Sequence, residues 1–116
     1  MKILIVDDDQ NILRLYKEEL EEDGYTIVTA SNGQEAIERF EAEDPDLVTL
    51  DILLPDIDGI KLLRQMKEKK PRLPIIMSTA YDYRDDFAVW ASEAYIVKSS
   101  DLTELKATIK QLMEQE

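Results

Sequence analysis

Two side chains that carry much of enzyme and metal chemistry are missing from this sequence, which has no cysteine and no histidine. Without cysteine there is no disulfide, no thiolate nucleophile and no sulfur metal site, and without histidine there is no imidazole base or ligand. Any metal must be held by oxygen. Positive charge is also scarce: 14 Lys and Arg stand against 26 Asp and Glu, a formal net charge of −12. An acidic surface of that size repels phosphate backbones and anionic lipid headgroups, so direct binding to nucleic acid or to a membrane is not expected. Long apolar runs are absent as well. Lys2 is followed by only four apolar residues, Ile3 to Val6, before an acidic cluster. That is not the pattern of a secretory signal, and no run approaches the roughly 18 residues of a membrane span. A cytoplasmic location follows as the expectation.

What is present suits one globular domain. A chain of 116 residues with 44% apolar and 34% charged side chains has room for a single hydrophobic core, and residues 1–116 read as one domain. Apolar, β-branched runs alternate with helix-period segments along its length. Ile3–Val6, Tyr25–Thr29, Leu47–Leu50, Leu73–Met77 and Tyr95–Val97 read as strands, and their lack of polar alternation fits strands buried on both faces. Between them Ile12, Leu13, Tyr16 and Leu20 recur at helical spacing, as do Ala36, Ile37 and Phe40, then Ile60, Leu63 and Met66, and finally Leu102, Leu105, Ile109 and Leu112. Ser31 with Gln34, and Asp101 with Glu104, stand at capping-box spacing, while Gly24 marks a helix stop. From Ala80 to Ala94 the helical pattern is weak, which predicts a short fourth helix. The whole is an α/β chain: a parallel sheet covered by helices on both faces.

In such a sheet, ligands bind beyond the carboxyl ends of the strands. After the first strand come Asp7, Asp8 and Asp9; the third ends at Asp51, the fourth at Ser78 and Thr79, the fifth at Lys98. Carboxylates gathered at one rim repel each other unless a hard cation neutralises them, and Mg2+ (or Mn2+), which prefers oxygen ligands and commonly bridges carboxylate to phosphate, suits them best. A carboxylate beside such an ion can attack a phosphoryl group to give an acyl phosphate, which is the role expected of Asp51. The equatorial oxygens of the transferring group need donors placed in advance, and the Lys98 ammonium and the Thr79 hydroxyl provide them. Taken singly each feature is ordinary: an acidic cluster before a helix is commonly a cap and dipole partner. Their order along four strand ends is not. Ser78, adjacent to Thr79 on the same strand, should point to the other face and be structural.

The segments ILIVDDD (Ile3–Asp9), LVTLDILLPDIDG (Leu47–Gly59), IIMSTAY (Ile75–Tyr81) and YIVK (Tyr95–Lys98) resemble the receiver domain of bacterial two-component response regulators, as in single-domain chemotaxis and sporulation receivers. The resemblance covers essentially the whole chain. It implies the flavodoxin-like (βα)5 fold, strand order 2-1-3-4-5, with phosphate received from a histidine kinase or phosphotransfer protein. By position it makes Asp7 and Asp8 the acidic pair, Asp51 the acceptor, Thr79 the switch hydroxyl, Lys98 the invariant lysine and Tyr95 the aromatic that follows the hydroxyl. The backbone carbonyl of Leu53 becomes a further metal ligand, and Asp9 the cap of the first helix.

This sequence also departs from the family. Ser99 follows Lys98 where a proline with a cis bond is usual; a cis bond before serine costs roughly 2.5–4 kcal/mol, so a trans bond is expected. Relatives carry a slightly longer segment between hydroxyl and lysine, and a Gly-Ala pair where Ala91 and Ser92 stand here, hence a shortened fourth helix. Leu53 and Tyr81, two positions beyond acceptor and hydroxyl, are bulky enough to limit water, so self-hydrolysis of the acyl phosphate should be slow. Three other functions compete. An Asp-nucleophile phosphatase usually has a second aspartate where Leu53 stands. A flavin carrier needs a phosphate loop where Asp7–Asp9 would repel phosphate. A pseudo-receiver would dock without phosphorylation. The expected output is a downstream protein or an output domain missing from this chain.

Overall fold

The computed structural model describes residues 1–79, 94–97 and 102–114, with Thr79, Ala94, Tyr95 and Val97 described in their backbone alone. Its elements run β1 (Lys2–Val6), α1 (Gln10–Glu22), β2 (Thr26–Ala30), α2 (Gly33–Glu43), β3 (Leu47–Leu50), α3 (Gly59–Lys69), β4 (Ile75–Thr79), β5 (Ala94–Val97) and α4 (Thr103–Glu114). The five strands form one parallel sheet in the order β2-β1-β3-β4-β5. This is the doubly wound, flavodoxin-like arrangement expected from the sequence. The short helix expected between the fourth and fifth strands lies outside the described residues.

Side chains alternate across each strand, so one strand feeds two cores. From β1, Leu4 and Val6 join Val48 and Leu50 of β3, Ala36 and Phe40 of α2, and Leu62, Leu63 and Met66 of α3. Ile3 and Ile5 turn the other way, to Leu13, Tyr16 and Leu20 of α1 and to Leu105 and Ile109 of α4. Ile3, Leu4, Ile5 and Val6 are each at most 1% exposed, so β1 is dry on both sides. The unbroken apolar run follows from that position.

The ends of elements are set by local hydrogen bonding. Gly24 takes a left-handed φ of 95°, and its N–H donates to Glu21 while that of Tyr25 donates to Leu20, the Schellman ending that a glycine favours. The second helix begins one residue later than the Ser31 and Gln34 spacing suggests. Asn32 is its cap, the Asn32 side chain accepting from the Glu35 N–H, and the Glu35 carboxylate reaches back to the N–H and hydroxyl of Ser31. The box is therefore closed by Asn32 and Glu35. The fourth strand also begins later than Leu73. The Leu73 N–H is used in a turn by Lys70, and Pro74 has no N–H to give, so the strand starts at Ile75 and continues to Thr79. The second strand is likewise shifted by one, to Thr26–Ala30. Asp101, the expected cap of the last helix, lies outside the described residues.

Candidate functional site

The carboxyl ends of β1 and β3 lie side by side at the centre of the sheet. The Asp7 N–H donates to Ala30 of β2, at 3.0 Å, and the Asp51 N–H donates to Val6 of β1, at 3.1 Å. Both residues are thus held by sheet-type hydrogen bonds just past the strands. Their side chains are buried, Asp7 being 3% and Asp51 5% exposed, whereas Asp8 is exposed. The chain turns sharply after Asp7: the Asp9 N–H donates to Asp7 Oδ1 at 2.9 Å, and Asp9 caps α1 by accepting from Asn11 at 2.9 Å. Asp9 is therefore spent as the helix cap.

Carboxylate oxygens from Asp7, Asp8 and Asp51 all lie within 4.8 Å of one another. Like charges at that spacing, two of them on buried residues, repel strongly, and a hard cation is the simplest means of relieving them. An all-oxygen donor set with an exposed third acid fits magnesium or manganese, which keep part of their water shell. The Leu53 N–H donates to Asp51 Oδ1 at 3.2 Å, so the segment carrying the Leu53 carbonyl folds back on Asp51. Leu53 itself is 46% exposed, one of the few large apolar side chains on the surface among the described residues.

The segment from Asp51 to α3 is fixed at three points that sequence reasoning missed. Gly59 donates to the Ile52 carbonyl at 2.8 Å, and a Cβ at Gly59 would fall 2.1 Å from the Asp51 carbonyl oxygen. Only glycine allows that approach. Asp58 caps α3 by accepting from Ile60 at 2.9 Å; an aspartate directly before a helical apolar pattern is a start signal that could have been read. Asp56 reaches across to α2, accepting from the N–H groups of Gly33 at 2.7 Å and Gln34 at 3.0 Å. These bonds, led by the one from Gly33, hold the Asp56 carboxyl below the usual carboxylate range against an opposing desolvation. No local pattern signals a contact so distant along the chain.

The other expected site residues divide clearly. Ser78 is buried, its hydroxyl 3.4 Å from that of Tyr16 on the α1 side, the structural position expected of it. Thr79 ends β4, paired in register with Val97, and Tyr95 pairs with Met77; the side chains of Thr79 and Tyr95 lie outside the described residues. So do Lys98, its bond to Ser99, and Tyr81.

The parallel five-stranded sheet thus carries an acidic pocket at the carboxyl ends of the adjacent strands β1 and β3. The chain belongs to the response regulator receiver domain family, whose model matches residues 3–110. Receiver domains of this family are signalling switches. The fold is closely similar to that of the response regulator TrrA from Thermotoga maritima, solved with Mg2+ and BeF, at 47% identity and a TM-score of 0.92, covering 96% of this chain and 97% of that one. TrrA in a crystal with the histidine kinase ThkA matches over the same shares at 47% identity and a TM-score of 0.90. The alkaline phosphatase synthesis transcriptional regulatory protein PhoP of Bacillus subtilis is 38% identical over 115 residues, 97% of this chain and 48% of PhoP. The chain thus spans about half the length of the curated relatives it matches first.

Proposed function

We propose that residues 1–116 form one receiver domain in which Asp51 accepts a phosphoryl group from a histidine kinase or phosphotransfer protein. The observation that carries this is the meeting of the Asp7, Asp8 and Asp51 carboxylates within 4.8 Å at the rim of the sheet. An Asp51 carboxylate oxygen attacks phosphorus, the P–N bond of a phosphohistidine breaks, and its electron pair stays on the imidazole nitrogen. The acyl phosphate so formed is later cleaved by water. Asp7, Asp8, the Asp51 carboxylate and the Leu53 carbonyl would hold Mg2+ or Mn2+. When bound, the ion supplies positive charge that offsets the carboxylates and the incoming phosphoryl oxygens.

Thr79 and Lys98 are assigned the remaining phosphoryl oxygens, one by a hydroxyl donor and one by an ammonium, with Thr79 and Tyr95 acting as the switch. Leu53 and Tyr81, two positions beyond the acceptor and the hydroxyl, are assigned the limiting of water's approach, which makes loss of the phosphoryl group slow; the Leu53 N–H lies on Asp51. The crystal of TrrA with ThkA supports a kinase as donor. The greater length of PhoP supports an output domain or a separate downstream protein as receiver of the signal. The net charge of −12 disfavours direct contact with nucleic acid or anionic lipid. Among the described residues no helix is long and apolar enough to cross a membrane, and we read the location as cytoplasmic.

The test is incubation with acetyl phosphate and magnesium, followed by intact mass. The unaltered chain should gain one phosphoryl group and Asp51→Asn none. No gain in either would leave a docking module without phosphorylation, and equal gain in both would move the acceptor elsewhere.

A further inference from the structure

We propose that Asp56 is a positioning residue for the metal and phosphoryl site, holding the β3–α3 segment in the shape the site needs by bonding it to the start of α2. This rests on the function proposed above. The segment leaves β3 at Leu50 and enters α3 at Gly59. Its two ends are fixed by the sheet and by the close approach of Gly59 to Asp51 and Ile52. Its middle is held elsewhere, by the Asp56 carboxylate on the Gly33 and Gln34 N–H groups at 2.7 and 3.0 Å.

The helix does not require this bond as its own cap. Asn32 already accepts from the Glu35 N–H through its side chain and from the Ala36 N–H through its carbonyl. Gly33 and Gln34 are left with donors aimed outward, and Asp56 takes both, a charge-assisted pair at the positive end of a helix. The neighbouring residue fits the same junction. A Cβ on Gly33 would fall 2.0 Å from Ile57 Cγ2, so the absence of a side chain at Gly33 lets the loop lie against the helix.

Leu53 sits between the fixed end and this clamp, its N–H on Asp51 Oδ1 and its carbonyl the expected backbone ligand. Magnesium tolerates little departure from octahedral geometry, so freedom in a ligand-bearing loop weakens it directly. Partners that orient ligands without touching the ion are commonly worth 10–100-fold in affinity.

Calorimetric titration of the full chain with magnesium alone tests this, together with melting of the metal-free proteins. Asp56→Ala should bind magnesium roughly tenfold more weakly or worse. Asp56→Asn, whose single amide oxygen can serve Gly33 but not both donors, should fall between it and the unaltered chain. Ile109→Val, in the core on the opposite side of the sheet, should lower the melting temperature and leave affinity unchanged. Affinity in both Asp56 variants equal to that of the unaltered chain would overturn the proposal alone, as would an equal weakening in Ile109→Val. Absence of magnesium binding by the unaltered chain would overturn the metal site itself, and this inference with it. Should Asp56→Ala not fold, Asp56→Asn carries the comparison.

Discussion

Gly59 shows how little room surrounds the central aspartate. Any side chain there would have to displace the main chain of Asp51 and Ile52, with a new Cβ only 2.6 Å from Ile52 Cα. Gly59→Ala should therefore destabilise the fold by about 1–3 kcal/mol, measured by denaturant unfolding, as overpacking against backbone does. Phosphorylation by acetyl phosphate should slow at the same time, because the backbone that must yield is that of Asp51, the proposed acceptor. Asp7, Asp8 and Asp51 could be found from the sequence because strand ends in a parallel sheet converge by rule. Gly59 could not be ranked that way: its importance depends on an approach between backbones, which leaves no pattern in side-chain types.

At the scale of elements, strand and helix order were legible because buried parallel strands read as unbroken apolar runs and the helices carry regular stripes. Boundaries were less so. A start at Leu73 failed because apolar character reports burial, which Leu73 has, while strand pairing needs an N–H that Pro74 lacks. The cap of α2 was misplaced by one residue because Ser31 and Asn32 are both competent caps, and only the extended backbone at Asn32 decides between them. The bond from Asp56 to α2 has a pH signature. Its carboxyl is held below the ordinary range in the folded chain, so its stabilisation is present above the unfolded value of about 3.9 and is lost as pH falls through the folded value. The difference in melting temperature between the unaltered chain and Asp56→Asn should be full near neutrality. It should shrink once the pH drops below about 4.

For the molecule as a whole, a cation bound among the Asp7, Asp8 and Asp51 carboxylates offsets their mutual repulsion. Since a site built from residues far apart in sequence exists only in the folded chain, magnesium should raise the melting temperature by mass action. At a concentration about 100 times its dissociation constant the gain is about 2.7 kcal/mol, a rise of several degrees, reversed by chelator. Asp7→Asn should lose most of that rise. A similar rise in Asp7→Asn would place the ion elsewhere on a surface whose net charge is −12.

The strand that leads into this pocket belongs to both halves of the interior. Leu4 and Val6 lean on one helical layer, Ile3 and Ile5 on the other, and Asp7 follows directly at the tip. A substitution in this one strand therefore reaches both helical layers at once: shortening Leu4 loosens the side that holds α2 and α3, and shortening Ile5 the side that holds α1 and α4.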